Sequence, residues 1–184
     1  MKRIIVAGIY RSGTTALYNI VRLICESEGD TWSEFLNDEI KPEELPELDF
    51  QILKAHKYHD KRTPAFIDEH TIVLTTFREN RDILASIYRA KEQMKDFRGQ
   101  QHDIPKYNEW QQHWNIHSVY QVHFNKLIQN PKRIIRDIAR LLKITVNEEE
   151  VYQKFVACKP PKEGIDPITL LHAGHITSNI KQTA

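Results

Sequence analysis

Gly8, Arg11, Ser12, Gly13, Thr14 and Thr15 crowd into one short stretch of the chain, and their spacing suits anion binding. Against the phosphate-loop pattern G-x-x-x-x-G-K-[ST], both glycines and the final threonine are in place, with Thr14 where the lysine belongs. Backbone N–H groups around Gly13, and at the start of a helix that follows, cradle an anion with the help of the helix dipole. A phosphoryl-transferring loop sets its lysine on the β- and γ-phosphates beside Mg²⁺. Its absence weakens a kinase or NTPase reading and leaves phosphate binding intact. The cation has moved into the loop, to Arg11. The plain alternative is a strand-to-helix turn capped by threonine. A second cluster pairs Arg78 with Ser86, eight positions on. If the intervening chain bends back, one guanidinium and one hydroxyl hold a phosphate monoester through charge-assisted bonds. Otherwise Arg78 is a surface ion-pair partner of Glu79 or Asp82.

These groups need elements to position them. Ile4 to Ile9 is a short apolar run rich in β-branched residues, the pattern of a strand covered on both faces. Leu17, Ile20, Val21, Ile24 and Cys25 then repeat at the helical period, and Gly29 offers a stop. A short helix is expected around Ser33 to Ile40, followed by a loop with Pro42 and Pro46. Phe50 to Ala55 reads as a second strand and Thr71 to Phe77 as a third, with a turn and short helix between them. Ile83, Leu84, Ile87 and Tyr88 mark another helix, so Arg78 sits at a strand's C-terminal edge, where open α/β sheets bind ligands.

Asn108 to His117 reads as a helix carrying Trp110 and Trp114 on one face. That face is assigned to the core in preference to an acceptor pocket. Ser118 to Phe124 is a candidate fourth strand. Asn130 and Pro131 open a helix as N-cap and N1, with Ile134, Ile135, Ile138, Leu141 and Leu142 as its core face. Asn147 and the three glutamates after it begin another. From Pro160 the chain reads as irregular. Alternating strands and helices predict an α/β, P-loop-like three-layer fold: a central, mostly parallel sheet of about four to five strands flanked by helices. Residues 1–184 are expected to form a single domain.

Composition excludes several classes. The formal charge is +1, with 26 Lys+Arg against 25 Asp+Glu, so no global basic field gathers nucleic acid or anionic lipid. No apolar stretch approaches a membrane span, the N-terminal apolar run is too short for a secretory signal, and a cytoplasmic location is expected. Cys25 and Cys158 read as reduced and buried. No tight His/Cys cluster calls for a metal.

Taken together, the loop and the Arg78/Ser86 pair resemble the PAPS-dependent sulfotransferases, in particular small bacterial-type members. In that family a Lys/Arg-Ser-Gly-Thr-Thr loop binds the 5′-phosphosulfate of 3′-phosphoadenosine 5′-phosphosulfate (PAPS). A later arginine, with a serine eight positions on, binds the 3′-phosphate. Arg11, Ser12, Gly13, Thr14 and Thr15 match the first, and Arg78 and Ser86 the second. Lys54 and His56 match the family's Lys-x-His segment, 22 residues before Arg78. The resemblance implies His56 as general base, Lys54 as a positioning cation, and Arg11 as the group stabilising charge on the bridging oxygen. His59 competes for the base role.

Phe124 falls at the place of the family's tyrosine in Tyr-Glu-Asp-Leu. Leu170 to Thr177 resembles a C-terminal cofactor-covering segment, which implicates His172, Gly174, His175 and Thr177. The family often carries tryptophan after the two threonines, where this chain has Ala16. The implied function is transfer of a sulfuryl group to a hydroxyl or amine, on a small-molecule or carbohydrate acceptor. No nucleic acid, membrane or metal is implied. Histidine's ordinary pKa, near roughly 6.5, suits such a base. The rivals are a P-loop small-molecule kinase or NTPase, and a non-catalytic nucleotide-binding module.

Overall fold

The computed structural model describes residues 1–93 and 103–173. Its centre is β1 (Lys2–Ala7), whose run of buried β-branched residues demands cover on both faces. Around it lie β2 (Thr31–Phe35), β3 (Phe50–Ala55), β4 (Thr71–Phe77) and β5 (Ser118–His123). They form a five-stranded sheet of order β2–β3–β1–β4–β5 in which every pairing is parallel. The α/β expectation, with about five strands, therefore matches the structure.

Helices supply the two outer layers. Ile4, Val6, Ile52 and Leu74 face one way and pack with α1 (Thr14–Glu26) and three later helices. Ile5, Leu53, Ala55 and Val73 face the other way, against Phe66 and Trp114. The remaining helices are α2 (Asn80–Gln93), α3 (Ile104–His117), α4 (Phe124–Gln129), α5 (Pro131–Leu142) and α6 (Glu148–Ala157). Among the described residues no helix is long and apolar enough to cross a membrane. Cys25 is buried and free, and burial pushes its thiol up to about 12. Cys158 is half-buried.

Four boundaries differ from the sequence reading, one of them the start of α3, at Ile104 instead of Asn108. The helix expected at Ser33 to Ile40 is instead the edge strand β2, with Thr31 to Phe35 in register against Phe50 to Lys54. Trp32 packs on one side of the sheet and Phe35 on the other, the alternation of a strand. The first strand stops at Ala7, two residues before the expected Ile9. Phe124, expected in the fourth strand, begins α4.

Because all five strands run the same way, their C-terminal ends share one edge of the sheet. β1 turns there into the Gly8–Gly13 loop, β3 into His56, β4 into Arg78 and β5 into Phe124. The chain reaches β3 on one side of β1 and β4 on the other, so the loop after β1 sits at the switch point where such sheets bind ligands.

The covering helices are capped unequally. Asn147 accepts from the N–H groups of Glu149 and Glu150 at 3.1 and 3.2 Å, whereas Asn130 makes no side-chain cap bond. Asn147→Ala is therefore expected to cost about 1 kcal/mol in urea unfolding, and Asn130→Ala to stay within about 0.5 kcal/mol of the parent.

Candidate active site

The loop after β1 is held by its hydroxyls. Ser12 Oγ donates to Ile9 O at 2.7 Å and lies 3.1 Å from Thr14 Oγ1 and 2.8 Å from Thr76 Oγ1. Thr14 and Thr76 hydroxyls close the triangle at 3.1 Å. All three side chains are buried. They pin the loop to β4 and leave Ser12 and Thr14 only their backbone to offer a ligand. Glycine is required at both ends: a Cβ on Gly8 would stand 2.8 Å from Thr76 O, and one on Gly13 2.7 Å from the Phe124 ring. Gly13 also has φ +98° and Arg11 φ 65°, so the loop folds through left-handed backbone.

At the start of α1 the first amides have no intrahelical carbonyl. Ala16 and Leu17 donate back to Gly13 O. The N–H groups of Gly13, Thr14 and Thr15 find no acceptor among the described residues. A run of orphan donors at a helix start is an anion-binding geometry.

Arg78, at the end of β4, reaches the same place. Its Nη1 donates to Arg11 O at 3.2 Å, its guanidinium carbon lies 4.0 Å from the Phe124 ring centroid, and its buried Nε has no acceptor among the described residues. Arg11 Nε donates to Ser86 Oγ at 3.0 Å. The two clusters seen in the sequence are thus in direct contact, and Ser86 joins them through Arg11. Burial lowers the Arg11 pKa most, followed by the nearby charges of Arg78 and Arg89. Burial also lowers that of Arg78. Two packed cations, one with a donor unfilled among the described residues, fit an anion carrying more than one negative group.

Lys54 and His56 project from the end of β3 on the same side. The His56 ring lies 2.6 Å, through Nδ1, from Gly8 O. A carbonyl only accepts, so Nδ1 carries the proton and a neutral ring keeps its lone pair on Nε2. Trp114 Nε1 donates to His56 O at 3.3 Å. Tyr10 packs on the imidazole at 4.4 Å between centroids, and Phe35 lies 5.6 Å from it. Phe35 also sits under the Lys54 ammonium at 5.5 Å. Lys54 is 5 % exposed, has no anionic partner among the described residues, and burial pushes its pKa down to about 8. His59 is exposed, on the turn where its N–H meets Thr63 Oγ1.

The remaining expected residues are less central. His172 pairs with Ile165 in an antiparallel bridge. Its segment docks on α1 through Tyr18 OH to Ile168 O and Asn19 Nδ2 to Thr169 O. Gly174, His175 and Thr177 lie outside the described residues. Tyr10 and Phe35, which frame His56, went unnoticed in the sequence. Tyr10 lies inside the loop motif as a variable position, and Phe35 fell in the segment read as helix. Trp114 is fully buried as expected, but Trp110 is only half-buried.

The family model of the sulfotransferase domain matches residues 1–158. The chain belongs to the sulfotransferase domain family. The fold of this sulfotransferase domain is shared with solved structures at low identity. A mouse sulfotransferase, SULT7A1, complexed with PAP, superposes with a TM-score of 0.62 at 12% identity, over 100% of this chain and 78% of that one. Retinol dehydratase in complex with retinol and PAP gives 0.56 at 14% identity over 84% of this chain. The same enzyme with androsterone and inactive cofactor PAP gives 0.54, also at 14%. The chain spans 64% of the length of the retinol dehydratase chain. No curated protein matches its sequence.

The buried Lys54 ammonium carries a cost with a defined pH window. Its pKa is about 8 in the fold and 10.5 ordinarily, so the unfolded chain binds more protons between those values. The penalty is complete below pH 8 and vanishes above 10.5. Lys54→Met is expected to raise stability at pH 7 by about 3 kcal/mol. Thermal unfolding from pH 7 to 10.5 should show that gain shrinking.

Proposed function

We propose that this sulfotransferase domain transfers a sulfuryl group from PAPS to a hydroxyl or amine, with His56 as general base. One observation carries the reading: Arg78 and the loop of Arg11 to Thr15 touch directly, with a buried Arg78 Nε–H left unsatisfied among the described residues. Two anion grips that close suit one molecule with phosphate groups at both ends, as PAP and PAPS have. The PAP named in the related structures agrees with this.

When bound, PAPS supplies an electrophilic sulfur and a bisphosphate leaving group. The N–H groups of Gly13, Thr14 and Thr15 hold its 5′ end at the positive end of α1. Arg78 and Ser86 hold its 3′-phosphate, with Arg11 bridging between the two. Phe124 backs the site by fixing Arg78 on its ring face. His56 Nε2 removes the acceptor's proton, held in place by the Nδ1 bond to Gly8 O. Lys54 and Arg11 give fixed positive charge to the oxygens that gain charge on transfer. The His56 anchor on the loop itself supports His56 over His59.

A kinase needs a cation at position 14, and there Thr14 is a buried hydroxyl in the loop's own bonding. Calorimetric titration with PAP, against ATP with Mg²⁺, tests the reading. PAP is expected to bind, Arg78→Ala to weaken it about ten- to a hundredfold, and His56→Ala to leave it within about twofold while reducing transfer at least about a hundredfold. Equal PAP affinity in wild type and Arg78→Ala, or binding of ATP–Mg²⁺ in preference to PAP, would refute it.

A further inference from the structure

We infer that Trp114 is a positioning residue for His56, holding the backbone of the candidate base through its indole N–H; this rests on the reading of His56 as general base. β3 ends at Ala55, and its last carbonyls are taken in turn by the neighbouring chain. Lys54 O accepts from Leu36 N–H at 2.8 Å on one side, and Ala55 O from Gly8 N–H at 3.3 Å on the other. His56 is the first residue beyond the strand, and its carbonyl accepts from Trp114 Nε1 at 3.3 Å. The indole supplies a donor at the point where the sheet stops supplying one.

Trp114 is itself held still. Its side chain is fully buried, packed with Leu53, Ala55, Phe66 and Val73. An indole N–H in such a place needs an acceptor, because its loss of water is otherwise uncompensated. Tyr58, two residues after His56, meets the indole edge-on at 5.1 Å between centroids. The Tyr58 hydroxyl lies 3.0 Å from His117 Nε2, one turn further along α3. Asp60 Oδ1 lies 3.2 Å from His113 Nδ1. One face of α3, carrying His113, Trp114 and His117, thus fastens the turn that carries the base.

Aiming an imidazole takes two points. Gly8 O accepts the Nδ1 proton at 2.6 Å, but a ring held at Nδ1 alone pivots about that bond and carries Nε2 with it. The Trp114 bond fixes the peptide from which the ring projects. It comes from α3, a different element from the loop that holds Nδ1. A misplacement of about 1 Å at Nε2 is enough to lower transfer about a hundredfold.

The test replaces Trp114 in the full chain with 3-benzothienylalanine, in which sulfur stands for the indole N–H at nearly the same shape, and with 5-fluorotryptophan, which keeps the donor. Each chain is saturated with PAP, and exchange of the His56 Nδ1 proton with solvent is read by NMR on ring-¹⁵N histidine. PAP release from PAPS is measured with benzyl alcohol as acceptor. The sulfur analogue is expected to exchange at least about tenfold faster and to release PAP about ten- to a hundredfold more slowly, with PAP affinity within about twofold of the parent. The fluoro analogue should match the parent in both. Trp114→Phe, read the same way, takes the place of the sulfur analogue if that chain does not bind PAP. Exchange as slow as in the parent overturns the inference, as does unchanged release in a chain that His56→Ala inactivates. If His56→Ala itself transfers at the parent rate, the base reading falls, and faster exchange then upholds only the hold of Trp114 on His56.

Discussion

The triangle of Ser12, Thr14 and Thr76 hydroxyls ties the loop after β1 to the C-terminal end of β4, and the rest of the candidate site takes its position from that tie. Hydroxyls in contact inside a core are useful only when each has both a donor and an acceptor role. Ser12 completes the set by donating to Ile9 O. With the loop fixed to β4, Arg78 needs to travel no distance to touch Arg11 O, and Gly8 O is presented to His56 from the other neighbouring strand. One polar knot therefore registers groups from three strands.

Around the knot positive charge is concentrated. Arg11 and Arg78 are partly desolvated, near one another and near Arg89, and Lys54 is buried over a phenyl ring with no counter-ion among the described residues. Buried in this way, Lys54 lowers the stability of the folded chain. An anion with charge at both ends spans several of these cations at once, as a single small ion does not. The aromatic side chains Tyr10, Phe35 and Phe124 hold the cations and the imidazole at fixed positions without neutralising them.

Much of this was legible in the residues. Short runs of apolar and β-branched residues marked β1, β3 and β4, and helical periodicity marked α1 and α5, because burial on both faces or on one stripe leaves a pattern that can be counted. The pairing of the Gly8–Thr15 loop with Arg78 and Ser86 was visible as spacing, since those residues lie at element ends whose positions the periods give. β2 was not legible: as an edge strand it is only half-buried throughout, so its alternation is diluted by Ser33 and Glu34. The start of α3 was also missed, though Asp103 accepts from Lys106 N–H and Pro105 follows in the first turn, a capping signal the eye passed over for Trp110 and Trp114. Arg11's reach to Ser86 could not be read, because a side chain's direction from a left-handed residue depends on the loop that holds it.

The wholly parallel sheet carries a kinetic consequence. β1 has no neighbour close to it in sequence: Ile4 is in register with Ile52 and Ile72, so its ladders close only after long stretches of chain have been brought round. Contacts of that separation form late and cooperatively. The loop, Arg78 and His56 hang on those ladders, so none of them is placed before distant parts of the chain have met.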